Sequence, residues 1–195
     1  MADTTQLAIL KQGIAAWNSW MQRNAAQAEP VLVDLSELNL SKLDLAGIDF
    51  SRVDLTGSNF SKSNLRQANL GGANLTNTDL SFAKLNQANL NRANLSTAFL
   101  KAADLGEASL VEADLISTNL SFAKLNRANL SFASLCFFAD LNGANLSNVN
   151  LSGANLSFAD CTGANLSEAN LSDTVLWRAT FTKAVLTNAD FSGAN

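Results

Sequence analysis

Residues 63–97 of the chain read SNLRQANLGGANLTNTDLSFAKLNQANLNRANLST, with a leucine at every fifth position. The same spacing extends from Leu35 to Leu135 and, after one inserted residue, from Leu141 to Phe191. We call the residue that recurs at this spacing the central residue. A small residue, usually Ala, precedes it by two positions, and Asn or Asp usually lies between the two. The chain is therefore built from a five-residue unit, Ala-(Asn/Asp)-Leu-Ser-X.

A period of five residues fits neither a long α-helix nor a long β-strand. Five residues advance about 500° around a helix, so the leucines would spread over its whole surface. Successive side chains of a strand point to opposite faces, so an odd period would place alternate leucines on opposite sides. There are 32 central residues, of which 27 are Leu, four are Phe and one is Cys161. Burying all of them requires a chain that turns at regular intervals, and the repeat therefore predicts a solenoid.

These units resemble the pentapeptide repeat family, whose consensus is A(D/N)LXX, as in Ala144-Asn145-Leu146-Ser147-Asn148. The resemblance covers about residues 31–195. It implies an all-β solenoid, namely a right-handed quadrilateral parallel β-helix with four units in each coil. In that family the central residue and the small residue two positions earlier point inward, and the other three positions face solvent. The 32 units then make about eight coils.

A second internal repeat supports a 20-residue coil. The sequence SFAKLN at residues 81–86 recurs at residues 121–126, which is two such coils later. Asp104 lies midway between Lys84 and Lys124, at the same position of the unit. We therefore expect these three residues to form one vertical line on the surface.

Residues 1–30 lack the repeat. Their apolar residues are spaced by three and four positions, which predicts an amphipathic α-helix from about residue 4 to residue 26, ended by Glu29-Pro30. These apolar residues are Leu7, Leu10, Ile14, Trp17 and Met21. We therefore divide the chain into a capping helix and linker (residues 1–30) and a β-helix (residues 31–195).

The N-terminal helix is expected to cover one end of the solenoid, since each end exposes an apolar face and unpaired strand edges. Leu10 and Trp17 should pack on the central residues from Leu35 to Phe50. A helix that binds a partner or a membrane surface is the alternative, although few basic residues flank it. The segment also resembles the N-terminal segment of some cyanobacterial members of the family. That likeness rests on Lys11-Gln12-Gly13 and on Ala16-Trp17-Asn18-Ser19-Trp20.

The last coil departs from the consensus, because apolar residues replace polar ones at several outward positions. An apolar final coil favours a homodimer formed end to end, in which both copies use the same surface. The residues of this candidate dimer end are Val175, Leu176, Trp177, Phe181, Val185, Leu186 and Phe191. A truncated or frayed end is the alternative.

One residue is inserted at Cys136-Phe137-Phe138-Ala139, which predicts a bulge in one coil. Outward aromatic residues lie near this bulge and form a candidate surface for a protein partner. They are Phe132, Phe137, Phe138 and Phe158. Alternatively, these rings lie flat over small side chains of the neighbouring coils.

The composition argues against catalysis and metal binding. The chain has no His, and its two cysteines are too few for a four-thiolate zinc site. We expect Cys161, as a central residue, to be buried and inert, and Cys136 to face outward on another face, so that no disulfide joins them. Nucleotide-binding loops and serine-hydrolase motifs are missing from the sequence. It therefore predicts a protein that is not an enzyme and takes no cofactor or metal.

The sequence carries no targeting signal that we recognise. The N-terminus lacks a basic region, the apolar stretch around Ile9 is broken by Lys11, and no apolar run approaches the ~18 residues of a membrane span. A net charge of −4 offers no basic patch for nucleic acid or for an anionic membrane. We therefore expect a soluble cytoplasmic protein that contacts neither directly.

Three functions stay open at this point. The first is a rigid rod that acts as a scaffold or binds a protein partner that the sequence does not identify. The second follows from the resemblance, because some family members mimic B-DNA and bind type II topoisomerases such as DNA gyrase. A mimic needs sustained negative potential; the units hold 15 acidic and 11 basic residues, with no Lys or Arg between Ala128 and Trp177. The third is an architectural protein with no fixed partner.

Overall fold

The five-residue units pair with one another in parallel at a constant offset. In the computed structural model, which describes residues 4–29 and 31–195, the residue before each central residue bridges to its equivalent 20 residues later, from Asp34 and Asp54 onward. The offset is 21 residues across the insertion, as between Asn119 and Asp140, and returns to 20 afterwards. The predicted 20-residue coil and the predicted place of the insertion are therefore confirmed.

The coils are joined by backbone hydrogen bonds, and each strand consists of one bridge residue. These bridge residues recur every five positions from 34 to 134 and from 140 to 190. The Leu35 N–H donates to the Asp54 carbonyl at 2.8 Å, and the Asp54 N–H donates to the Val33 carbonyl at 2.9 Å. Because adjacent coils bond to each other in this way, the backbone N–H and carbonyl groups between them are paired.

The Asn or Asp of the unit folds the turn that follows it. Its Oδ1 accepts the backbone N–H two residues later, as Asp49 does from Ser51 at 3.0 Å. The same side chains also connect coils, since Asn69 Nδ2 donates to Asp49 Oδ1 and Asn89 Nδ2 donates to Asn69 Oδ1, both at 2.9 Å. Short polar side chains that hydrogen-bond their own backbone favour turns. This position is therefore half-buried and structural in much of the rod, and does not simply face solvent as expected.

The fifth residue of each unit lies in the left-handed region of backbone space. Its φ is +59° at Arg52, +58° at Asn77 and +63° at Phe158. Glycine has no steric penalty in this conformation, whereas other residues cost about 1–2 kcal/mol. Seven of the ten glycines occupy this position: Gly47, Gly57, Gly72, Gly143, Gly153, Gly163 and Gly193.

The core is one continuous column of central residues and the small residues two positions before them. The central residues from Leu35 to Leu171 are buried, and so are most of the alanines. The last coil differs, because its central residues Leu176, Phe181 and Phe191 are only partly buried. The fourth central residue, Leu186, is exposed.

The N-terminal segment forms two helices, α1 (Thr4–Leu10) and α2 (Ile14–Ala25), so the expectation of one continuous helix from 4 to 26 is wrong. Gly13 has φ +104° and ψ 171°, which is incompatible with an α-helix. The apolar spacing continues across this break and therefore does not reveal it. Gly13 is the feature of the sequence that indicated the break. Residues 1–3 and Pro30, which was expected to help end the helix, lie outside the described residues.

Both helices lie over one half of the first coil and bond to its edge. Trp17 is fully buried, its ring centroid lies 5.7 Å from that of Phe50, and its Nε1 donates to the Asp49 carbonyl at 2.6 Å. Asn18 accepts the Asp49 N–H at 2.8 Å, and Gln6 accepts the Asp34 N–H at 3.0 Å. Side chains of the helices thus take the hydrogen-bonding role of a preceding coil.

The other half of the first coil borders a cleft of about 470 Å³ beneath the junction of the helices. Half-buried Leu7, Leu10 and Ile14 line it from one side. The opposite side is formed mainly by Leu38, Leu40, Leu43 and Leu45. The helices therefore cover the first coil incompletely. Trp17 and Met21 enter the core, and half-buried Leu10 packs against it as predicted, at the wall of the cleft.

Candidate interaction surface

Four aromatic side chains meet along one corner of the rod, which we call the aromatic corner: Phe137, Phe138, Phe158 and Trp177. Phe137 and Phe158 occupy the left-handed turn position of consecutive coils and stack, with centroids 6.1 Å apart and an interplanar angle of 18°. Phe138, the extra residue of the bulge, lies 5.9 Å from Phe158. Trp177 meets Phe158 edge to face at 4.8 Å. The insertion thus adds a ring to a stack that the repeat had already aligned.

Arg178 continues the same stack in the last coil. Its guanidinium lies 5.7 Å from the centroid of Phe158 and 4.8 Å from that of Trp177. Such contacts between a cation and an aromatic face are favourable. Our sequence prediction missed Arg178 and placed Trp177 only at the dimer end. Following the coil register from Phe137 across the insertion to Phe158, and then along one further coil, would have found Arg178.

Phe132 does not belong to the aromatic corner, although it was grouped with these residues in the sequence. It lies at the preceding corner of its coil, above Gly153, where a side chain in place of the glycine hydrogen would meet its ring at 2.6 Å. Phe122 covers Gly143 in the same manner. For Phe132 the alternative prediction therefore describes the packing, because its ring lies over a glycine of the next coil, as the ring of Phe122 does.

An acidic strip lies beside the aromatic corner. Asp140 and Asp160 follow Phe138 and Phe158 by two residues and are bridge partners in consecutive coils. Their Oδ1 atoms accept the N–H groups of Asn142 and Thr162, both at 2.9 Å. Neither carboxylate forms an ion pair within residues 4–29 and 31–195. The strip therefore retains negative charge that no base of the described chain neutralises.

Elsewhere on the rod, opposite charges alternate along single columns. Lys84, Asp104 and Lys124 are consecutive bridge partners, which confirms their predicted line. Asp104 Oδ1 nevertheless accepts Asn86 Nδ2 at 2.6 Å and forms no ion pair in the part of the chain described. Among residues 4–29 and 31–195, the pair that does form is Arg92 Nε with Glu112 Oε2, at 2.8 Å on an exposed corner. It raises the pKa of Arg92 and lowers the pKa of Glu112.

Both cysteines are free and buried, which is a correction for Cys136. That residue was expected to face outward, but only 4% of it is exposed, and its Sγ lies 3.5 Å from Ser134 Oγ. It occupies the first position of the turn at the bulge. Burial, and then the nearby charge of Asp160, raise the pKa of Cys161 to about 12. Neither thiol is placed for nucleophilic chemistry.

The last coil exposes apolar side chains and backbone donors. Val175, Trp177 and Val185 are exposed, and Phe181 contacts Phe191 edge to face at 6.3 Å. Within the described residues, the N–H groups that would pair with a further coil have no acceptor. They are those of Arg178, Phe181, Lys183, Leu186, Asn188, Phe191 and Gly193. The sequence-predicted dimer end is thus a surface with both apolar area and open hydrogen-bonding groups.

Within the described ranges, no group of three or more Cys, Asp or Glu side chains is placed to hold a metal ion. A shallow depression of about 410 Å³ lies around Asp104, Gly106 and Glu107, and its polar groups largely bond to one another. Neither helix of the described segment is long and apolar enough to cross a membrane. The interaction surfaces above are therefore the features from which a function can be argued.

Comparison with known proteins gives a consistent result. The family model described as pentapeptide repeats matches the chain with eight copies, in segments that together span residues 34–131 and 134–195. No curated protein sequence matches the chain significantly. Among solved structures, the plasmid-mediated fluoroquinolone resistance protein QnrB1 is 18% identical, with a TM-score of 0.71, over 85% of this chain and 91% of its own. At this identity the similarity concerns the fold alone.

Two other solved structures are more similar in sequence. HetL, a pentapeptide repeat protein involved in heterocyst differentiation regulation from the cyanobacterium Nostoc sp. strain PCC 7120, is 32% identical. The match covers 90% of this chain and 94% of HetL, with a TM-score of 0.31. A pentapeptide repeat protein of the Arabidopsis thaliana thylakoid lumen is 34% identical over 64% of this chain and 68% of its own, with a TM-score of 0.29.

Proposed function

Because the chain belongs to the pentapeptide repeat family, we propose that it is a rigid, non-enzymatic rod that acts through protein–protein contacts. The right-handed quadrilateral geometry known for the family is part of this proposal. The single observation that supports it most is the last coil, where apolar side chains lie beside unpaired backbone donors. Exposed strand edges and apolar patches favour association.

The first partner we propose is a second copy of the chain, bound through the last coil. A two-fold arrangement lets the same surface cover itself, so that Phe181 and Phe191 of both copies become buried together. The unpaired N–H groups of the coil then lie within reach of acceptors on the other copy. One end of a narrow rod buries little area, so the dimer should be weak.

Sedimentation of the whole chain over a concentration series tests this proposal. We expect a monomer–dimer equilibrium that Phe191→Asp shifts to monomer, because the substitution places a charge in the centre of the contact. Phe132→Asp is the matched control, since it adds the same charge at a corner position where Asp173 shows that Asp is accepted. A strict monomer at high concentration, or equal effects of both substitutions, would contradict the proposed dimer.

DNA mimicry receives less support from the surface charges. The rod carries Lys84, Lys124 and Arg127 among its acidic residues, which breaks the continuous negative potential that a mimic needs. The region from Ala128 to Trp177 is free of bases but covers fewer than three coils. A gyrase supercoiling assay decides the matter: inhibition or quinolone protection by micromolar protein would favour mimicry over the role proposed here.

A further inference from the structure

We propose that the aromatic corner and the acidic strip beside it form a docking site for an amphipathic α-helix of a partner protein. The helix carries Lys or Arg residues next to its apolar face. This inference rests on the proposed function as an interaction module and adds the chemistry of one partner. The site is separate from the apolar end of the last coil, although Trp177 borders both.

The apolar half of the site is unusually exposed for side chains of this size. Phe138 is 75% exposed, Trp177 57% and Phe137 55%. Phe158 lies between them and holds their relative positions by ring contacts of 4.8–6.1 Å. Contiguous exposed aromatic residues mark protein interaction sites more often than scattered ones do. The corner therefore presents a rigid apolar ridge, which loses little side-chain entropy when it binds.

The spacing of the ridge fits a helix that lies parallel to the rod axis. Coils follow one another at about 4.8 Å, and an α-helix advances about 5.4 Å per turn. A helix can therefore contact each coil about once per turn. The ridge extends over three coils, so two to three turns of helix cover it. Apolar residues at i, i+3 or i+4, and i+7 would make the contacts.

The charge beside the ridge selects the partner. Asp140 and Asp160 form the acidic strip on the flat face that follows the aromatic corner, and neither has a basic partner within the described residues. No Lys or Arg occurs from Ala128 to Trp177, and Gly163 leaves open space on the far side of the strip. Arg178 lies at the end of the stack, and its guanidinium lies over the rings of Phe158 and Trp177. Complementary charge therefore favours basic residues on the partner.

Two designed helical peptides test the proposal directly. Each is about four helical turns long and carries the same leucine face, and the flanking positions are Lys in one peptide and Glu in the other. We expect the Lys peptide to bind the whole chain in a fluorescence anisotropy titration, with affinity that falls as salt rises. The Glu peptide should bind at least about tenfold more weakly, because like charges oppose each other across the contact.

Substitutions with matched controls locate the binding. Phe158→Asn should lower the affinity for the Lys peptide at least about tenfold, as expected when a ring at the centre of a contact is removed. Asn148 and Asn188 show that Asn is accepted at this turn position, and Phe132→Asn is the control at another corner. The double substitution Asp140→Asn with Asp160→Asn should remove most of the salt dependence. Asp79→Asn, on the same face and three coils earlier, should not.

The outcomes separate this inference from the proposed function. Equal binding of the two peptides, or equal losses from Phe158→Asn and Phe132→Asn, overturns the helix site. If the Lys peptide fails to bind but the chain dimerises through its last coil, the helix site is wrong and the interaction role stands. If neither peptide binds and the chain remains a monomer at all concentrations, both proposals fail together.

Discussion

The first and last coils of the rod are made from the same unit but end in different ways. At the first coil, Gln6 and Asn18 accept the N–H groups of Asp34 and Asp49, and Trp17 is buried against Phe50. At the last coil, the backbone donors on the outer edge, such as those of Phe181, Leu186 and Phe191, have no acceptor in the described residues, and the central residues are at least partly exposed. Repeat units alone cannot cover the end of the rod, because each coil pairs its edge with a neighbouring coil. Covering an end takes residues outside the repeat or a second molecule.

Replacing Trp17 at the first coil and Trp177 at the last coil by alanine should give the largest difference in the free energy of unfolding. Trp17→Ala removes a buried ring and leaves the Asp49 carbonyl without its donor, so we expect a loss of about 3–5 kcal/mol in the free energy of unfolding. Trp177→Ala removes an exposed ring and should cost less than about 1 kcal/mol. Urea unfolding of both variants at low protein concentration measures the difference. Equal losses would mean that α2 does not stabilise the first coil.

The hydrogen bonds between α2 and the edge of the first coil should have a smaller effect. Asn18 accepts the Asp49 N–H at 2.8 Å and donates to the Gly47 carbonyl at 2.9 Å. Asn18→Ala should cost about 1–2 kcal/mol, because these backbone groups then rely on water. Ser19→Ala, one residue along the helix and exposed, is the control. Thermal unfolding that does not distinguish the two variants would argue against this pairing.

The smallest effect concerns pH and the two outermost turn carboxylates. The Ser36 side chain, and then its backbone N–H, lower the pKa of Asp34 to about 2, and Ser192 lowers the pKa of Asp190 through its backbone and side chain. A carboxyl with a folded pKa below its unfolded value of about 3.9 adds stability above that value. This contribution is lost as the pH falls from about 4 to 2. Asp34→Asn should reduce the slope of stability against pH in this range.

Carbon-detected NMR titration of the Asp34 carboxyl checks the cause. The midpoint should lie near 2 in the folded chain and should rise in Ser36→Ala, because the hydroxyl of Ser36 makes the largest contribution. A midpoint near 4 in the unsubstituted chain would contradict the hydrogen-bonded turn at this position.

The period of the central residues predicted most of the rod, because burying a leucine at every fifth position leaves little choice of chain path. The recurrence of SFAKLN predicted the coil length, and the structure confirms the line through Lys84, Asp104 and Lys124. The left-handed turn position was missed, although glycines mark it in seven units. The reason is that Arg, Glu and Phe also occupy it, which hides the glycine preference.

The surface was harder to predict than the core. The sequence analysis grouped Phe132 with Phe137, Phe138 and Phe158 because these residues lie near the bulge along the chain. Contact between side chains of different coils depends instead on the position that each occupies in its coil. In the structure, a shift of one unit moves Phe132 to another corner above Gly153. The break at Gly13 was missed for a related reason, since apolar spacing records which face is buried and not whether the backbone between is helical.

Amide hydrogen exchange of the whole chain tests most directly whether one end is covered and the other associates. The N–H groups of Asp34 and Asp49 should be protected at every protein concentration, because Gln6 and Asn18 accept them. Those of Phe181, Leu186 and Phe191 should exchange rapidly in dilute protein and become protected as the concentration rises and dimers form. Rapid exchange of the last coil at all concentrations would contradict the account, and so would exchange of Asp34 and Asp49 as fast as that of Phe181.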